Sequence, residues 1–155
     1  MKWLLLLFLY LPYGGVLHAA SPEVMECREL FTLVDQGENY NIELDKLTAN
    51  ATYKTPILFG YRALYYFMCA KYAFWPTDKY ANFKMGKKYI DLIIQLNPNE
   101  PELRIIRYSV QSNVPAFLEY KSNLEADRNK LKSAYINSNH TPIHALIEGV
   151  LKLYP

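Results

Sequence analysis

DLIIQLNPNEPELRIIRYSV, Asp91–Val110, decides how this chain is read. Two apolar-periodic stretches, Asp91–Leu96 and Leu103–Val110, flank the short link Asn97-Pro98-Asn99-Glu100-Pro101. Proline disfavours helical geometry in the residue before it, and its missing N–H is harmless at the first helical position. The link therefore ends one helix and starts another within five residues. A connection that short makes the two helices antiparallel neighbours.

The same grammar extends in both directions. Apolar residues recur at the helical period over Pro22–Asp35, through Met25, Cys27, Leu30, Phe31 and Val34, with Gly37 as the stop. A shorter helix, Asn41–Ala49, presents Ile42, Leu44 and Leu47. Pro56–Phe74 is apolar on two faces, Tyr61/Tyr65/Met68/Tyr72 and Phe59/Ala63/Phe67/Ala70/Phe74. A helix apolar nearly all round is expected at the buried centre.

Lys79–Leu96 carries Phe83, Gly86, Ile90, Ile93 and Ile94 on one face, and Lys84, Lys88 and Asp91 on a solvated side. Glycine inside a helix costs about 1 kcal/mol against alanine, so Gly86 points to a neighbour packed against the backbone. Glu102–Gln111 follows, with Pro101 at its first position. A sixth helix is expected over Ala116–Tyr135, turning Phe117, Tyr120, Leu124, Leu131 and Ala134 inward. The last, Pro142–Leu153, has Thr141 as its cap. No stretch alternates with period two long enough for a strand.

Residues 1–20 read as a signal peptide. Lys2 is followed by the apolar run Trp3–Leu11, a break at Pro12, Gly14 and Gly15, and small residues suited to cleavage after Ala19 or Ala20. That run is too short to span a bilayer, which takes about 20 apolar residues. Residues 21–155 then form one domain, long enough to bury about two-thirds of its unfolded surface. With 51% apolar, 15% aromatic and 21% charged residues, the composition is that of a folded globule. A net charge of +2 gives no strong field for nucleic acid.

Phe83, Gly86, Ile90, Ile93, Leu96 and Pro98 resemble the second half of a tetratricopeptide repeat: an aromatic, a small residue three on, further apolar positions and a closing proline. The first-half signature is not recoverable from Gly60–Tyr72. The resemblance implies an all-α, tetratricopeptide-like stack of antiparallel hairpins with six to seven helices. A second resemblance spans Pro56–Leu131, through Trp75-Pro76, Phe83, Gly86-Lys87, Pro98, Arg104, Arg107, Gln111, Asn113, Pro115, Phe117-Leu118, Tyr120 and Asp127. This pattern is similar to that of exported helical proteins of Bacteroidota bacteria. It implies a source and an extracytoplasmic address, and no chemistry. The chain departs from it at Glu119, where a glycine is expected before Tyr120.

Arg104, Arg107 and Gln111, spaced three and four apart, share one helix face. Two readings stand side by side. Their planar donors hold a carboxylate or an extended peptide, or Arg107 bonds a helix-end carbonyl or Asp127. Tyr61, Tyr65 and Tyr72 either line a groove that stacks rings or pack the core with their hydroxyls on nearby acceptors. Cys27 and Cys69 either form one disulfide, as an oxidising compartment permits, or serve as small buried hydrophobes.

His140, His144 and Glu148 lack the shared helix face that zinc ligands use, because His140 precedes Thr141-Pro142. No serine elbow, His-Glu-x-x-His, phosphate loop or Cys-x-x-Cys is present, and no cofactor or metal is expected. The function expected is a non-enzymatic, exported protein holding a protein or peptide partner in a groove between Tyr61–Tyr72 and Arg104–Gln111. The rivals are a small-ligand or enzymatic domain whose site converges only in three dimensions, and a secreted effector or inhibitor.

Overall fold

The computed structural model describes residues 20–33, 39–139 and 141–155. The segment up to Ala19 expected to be a signal peptide, Val34, Asp35, the expected stop at Gly37 and the metal candidate His140 lie outside them. The described residues form seven α-helices and no strand: α1 (Pro22–Leu33), α2 (Asn39–Thr48), α3 (Pro56–Tyr72), α4 (Pro76–Leu96), α5 (Pro101–Asn113), α6 (Leu124–Asn137) and α7 (Pro142–Leu153). A single 3-10 turn, Ala116–Leu118, lies between α5 and α6. None of these helices is long and apolar enough to cross a membrane.

Five of the seven helices start on proline, the residue whose fixed φ and missing N–H suit that position. α4 starts at Pro76 rather than Lys79, because the Trp75 carbonyl already accepts from the Asp78 and Lys79 amides at 3.1 and 3.0 Å. Glu100 caps α5, its carboxylate accepting from the Glu102 amide at 3.1 Å.

Each helix packs on the next in the chain. Contacts also run from α1 to α3, α3 to α5 and α5 to α7, which stacks the helices in chain order. α3 and α4 are antiparallel. Gly60 approaches Ile90, Ala63 meets Gly86, and Phe67 meets Phe83, so partners fall along α4 as they rise along α3. At Gly86 the α3 backbone lies close against α4, as its place in the sequence suggested. A β-carbon there would lie 3.0 Å from the Ala63 carbonyl oxygen and from the Phe67 ring.

Two apolar clusters result. The larger joins Cys27, Leu44, Tyr61, Leu64, Phe67, Phe83, Ile90, Ile93, Leu103, Ile106 and Tyr120. The smaller joins Ile105, Tyr108, Leu131, Ile147 and Val150. α5 is the wall between them, and Glu102 through Tyr108 are buried without a break. α3 is central, as expected, and packs on α1, α2, α4 and α5, but the longest unbroken buried run belongs to α5. Its charged residues disguise it, because each is neutralised inside the protein.

The sixth helix is also shorter than expected. Pro115 ends α5, one turn of 3-10 follows, and Glu119 turns left-handed at φ 48° and ψ 38°. α6 begins only at Leu124. Phe117 is consequently 80% exposed rather than inward, while Tyr120 still enters the larger cluster. Met25 and Ile42, expected on apolar faces, are likewise exposed.

Candidate functional site

The residues expected to bind a partner are largely spent on internal contacts. Asp127 is fully buried on α6 and accepts three hydrogen bonds from α5: Arg104 Nη1 at 2.6 Å to Oδ1, Arg107 Nη2 at 2.8 Å to Oδ1, and Arg107 Nε at 2.7 Å to Oδ2. Arg104 Nη2 also donates to the Pro98 carbonyl at 2.8 Å, and Arg107 Nη1 to Asp91 Oδ1 at 3.0 Å. The three-and-four spacing does place Arg104, Arg107 and Gln111 on one face, but that face points inward. Gln111 is buried with neither amide atom bonded to a protein group.

Tyr61 is equally enclosed. Its hydroxyl donates to Glu102 Oε1 at 2.8 Å, and Arg28 grips the same carboxylate through Nε at 2.9 Å and Nη2 at 2.7 Å. This tie joins α1, α3 and α5. Tyr65 and Tyr72 are half-buried against the larger cluster. The Arg62 guanidinium lies 4.4 Å over the Tyr65 ring, and the Lys71 ammonium 5.5 Å from that of Tyr72. The expected groove between Tyr61–Tyr72 and Arg104–Gln111 is thus filled by packing.

Cys27 and Cys69 are separate free thiols, not a disulfide. Cys27 sits in the larger cluster, where burial first and the Glu102 charge second push its thiol up to about 12. Cys69 is half-buried, and its sulfur accepts from Asn41 Nδ2 at 3.3 Å. His144 stacks on Tyr135 with ring centroids 4.1 Å apart, its Nδ1 3.1 Å from Ser138 Oγ. Among the described residues, no three His, Cys, Asp or Glu side chains converge as metal ligands.

The open concavity lies elsewhere. A cleft of about 510 Å³ runs between one flank of α4 and the turn after α5. Tyr80, Lys84, Lys87 and Lys88 supply the α4 wall, with Asp91 at its end; Phe117, Leu118 and Glu119 supply the other. Helical spacing puts the α4 residues on one flank, and Phe83 below them anchors that flank in the core.

The opposite wall is built by the backbone. Leu118 and Tyr120 both pack into the larger cluster, on either side of Glu119. Tyr120 stacks on Phe67, meets Phe83 edge-on at 5.7 Å, and donates its hydroxyl to Asp91 Oδ1 at 2.9 Å. Burial first and Asp91 second hold this phenol far above the ordinary tyrosine range, so it remains a donor. The left-handed conformation at Glu119, with its amide on the Ala116 carbonyl at 3.0 Å, joins these two anchors and leaves Phe117 over the cleft. Such geometry costs a side-chain-bearing residue about 1 kcal/mol. The glycine missing from the expected pattern falls at this very position.

Asp91 faces the cleft but is already engaged by Arg107 and Tyr120. The lysines are not answered in that way. Among the described residues, no carboxylate lies within ion-pair distance of Lys84, Lys87 or Lys88. Lys84 lies 5.5 Å from the Tyr80 ring and Lys87 5.0 Å from that of Tyr120. Sequence reasoning missed Tyr80, Lys87 and Phe117 as a group. The signal was Glu119, which stands where the expected pattern has a glycine and divides what otherwise passes for one helix from Ala116 to Tyr135.

Comparison of the chain with family models, curated proteins and solved structures finds no match, so the reading of the cleft stands on its own geometry.

Proposed function

We propose that this is a non-enzymatic, exported binding protein, a tetratricopeptide-like stack that holds a protein or peptide partner in the cleft between α4 and the turn at Phe117. One observation carries the reading. A large aromatic side chain is held out over an open cleft by a backbone turn that is strained for the residue making it. Strain of this kind persists where the surroundings enforce it, and it clusters at ligand-holding sites. Exposed aromatics beside polar groups are also the usual anchors of protein interfaces.

The apolar run at Trp3–Leu11 and the small residues up to Ala20 support export. Chain-order packing of short helices supports the repeat-like description.

Panning a displayed random-peptide library on the protein, and then measuring each enriched peptide on the Phe117→Ser variant, tests the binding site. Enriched peptides should lose affinity for the variant. Peptides that bind both proteins equally, or saturable uptake and turnover of a small metabolite with no peptide enriched, would overturn the proposal.

A further inference from the structure

We infer that the cleft's occupant is an acidic peptide segment carrying an apolar side chain among its carboxylates. This rests on the cleft being the partner site and adds the chemistry of the partner.

Charge comes first. Lys84, Lys87 and Lys88 stand on one flank of α4 without a carboxylate in reach, whereas the two acidic groups of the cleft are not equivalent. Asp91 is bound by Arg107 and the Tyr120 hydroxyl, and the other donors of Arg107 go to Asp127. Glu119 alone remains to oppose three ammonium groups. The cleft is therefore a local excess of positive charge on a chain whose total is only +2. A field so confined suits a short acidic segment better than a nucleic-acid backbone, which engages long basic stripes.

Length and shape come second. From Tyr80 to Asp91 the α4 wall extends about 16 Å at 1.5 Å per residue. An extended peptide covers that distance with about five residues. Its alternate side chains would face the lysine flank, and one apolar side chain would cover the exposed Phe117 ring, with Tyr80, also exposed, on the facing wall. Aromatic burial supplies affinity, while the lysines supply orientation and rate of encounter. A single small anion would leave most of this wall and the Phe117 ring uncovered.

The test uses fluorescence anisotropy with the whole chain and three fluorescein-labelled synthetic peptides. One is Glu-Glu-Leu-Glu-Phe-Glu; the others replace every glutamate with glutamine or with lysine. The acidic peptide should bind saturably. Its affinity should fall about tenfold when Lys84, Lys87 and Lys88 are all changed to Gln, since exposed ion pairs contribute a few-fold each. It should also fall as salt rises from about 50 to 300 mM, as screening requires, and the lysine peptide should not bind.

Should the glutamine peptide bind as tightly as the acidic one, with Phe117→Ser weakening both, the acidic inference is lost while the peptide cleft stands. Should none of the three bind, both are lost. Should vesicles containing phosphatidylglycerol bind through the same lysines while the peptides do not, the occupant is a lipid surface and the inference is likewise overturned. All four changed side chains are on the surface, and circular dichroism of each variant checks that the fold is retained.

Discussion

Arg104 and Arg107 on α5, and Lys84 and Lys87 on α4, share the same spacing of three residues and meet opposite fates. The arginines are buried and both close on Asp127. The lysines are exposed, with aromatic rings rather than carboxylates nearby. Arginine's planar fork can bind a carboxylate with several donors at once and so tolerate burial, whereas an ammonium is a strongly hydrated point charge. Spacing alone identifies a common face. Whether that face points inward depends on a carboxylate supplied by a different helix.

The largest test removes that carboxylate. Asp127→Ala leaves two buried guanidiniums short of their main partner and should cost about 4 kcal/mol, read as a fall in the urea midpoint. Unchanged stability would show that the arginines reach solvent, and the contrast with the lysines would vanish. Gly86→Val acts on the helix that carries the lysines. Its side chain meets the Ala63 carbonyl and the Phe67 ring, and overpacking there should cost about 2 kcal/mol in the same assay. A loss much below that would mean that α3 and α4 separate easily.

Alkaline pH probes the groups sealed in with the arginines. Cys27, Tyr61 and Tyr120 all have folded pKa values above their ordinary ones. A raised folded value means that the unfolded chain loses its proton first. The stabilising contribution is therefore intact below about pH 9 and declines as pH rises towards 12. Urea midpoints should fall over that range, and Ellman's reagent should find Cys27 unreactive in the native protein at pH 8. Both thiols should be counted in urea without reductant; a count of zero would restore the Cys27–Cys69 disulfide.

Glu119→Gly relieves the left-handed strain. It should stabilise by about 0.5 kcal/mol once the greater freedom of glycine in the unfolded chain is subtracted. The smallest change in stability is expected when Lys84, Lys87 and Lys88 are all replaced by Gln: within about 0.5 kcal/mol of the starting protein, as for ordinary surface positions. A clear loss would mean that these lysines are structural, like the arginines.

Helical period and proline placement made the fold largely legible. The prolines at 22, 56, 101 and 142 mark the starts of four of the seven helices, and Gly86 marked a close helix approach. The site was harder to see, for three physical reasons. Phe117, Tyr120 and Leu124 fall at helical intervals, so they imitate one continuous helix although a left-handed residue divides them. α5 carries Glu102, Arg104 and Arg107 and so looks amphipathic, because a pattern of residue types does not reveal that Arg28 and Asp127 neutralise those charges from elsewhere. Asp91 reads as a counter-charge to its neighbouring lysines until the distant Tyr120 and Arg107 claim it.

The position of α5 between the two clusters sets how the molecule can be divided. Leu103 and Ile106 belong to one cluster, Ile105 and Tyr108 to the other, so neither half keeps a complete interior without this helix. A fragment ending before Pro101 would expose the apolar surface that α5 covers, and one beginning there would leave Leu103 and Ile106 bare. Cutting the chain at the link that looks most like a repeat boundary should therefore yield two insoluble pieces, and the seven helices should melt in one transition.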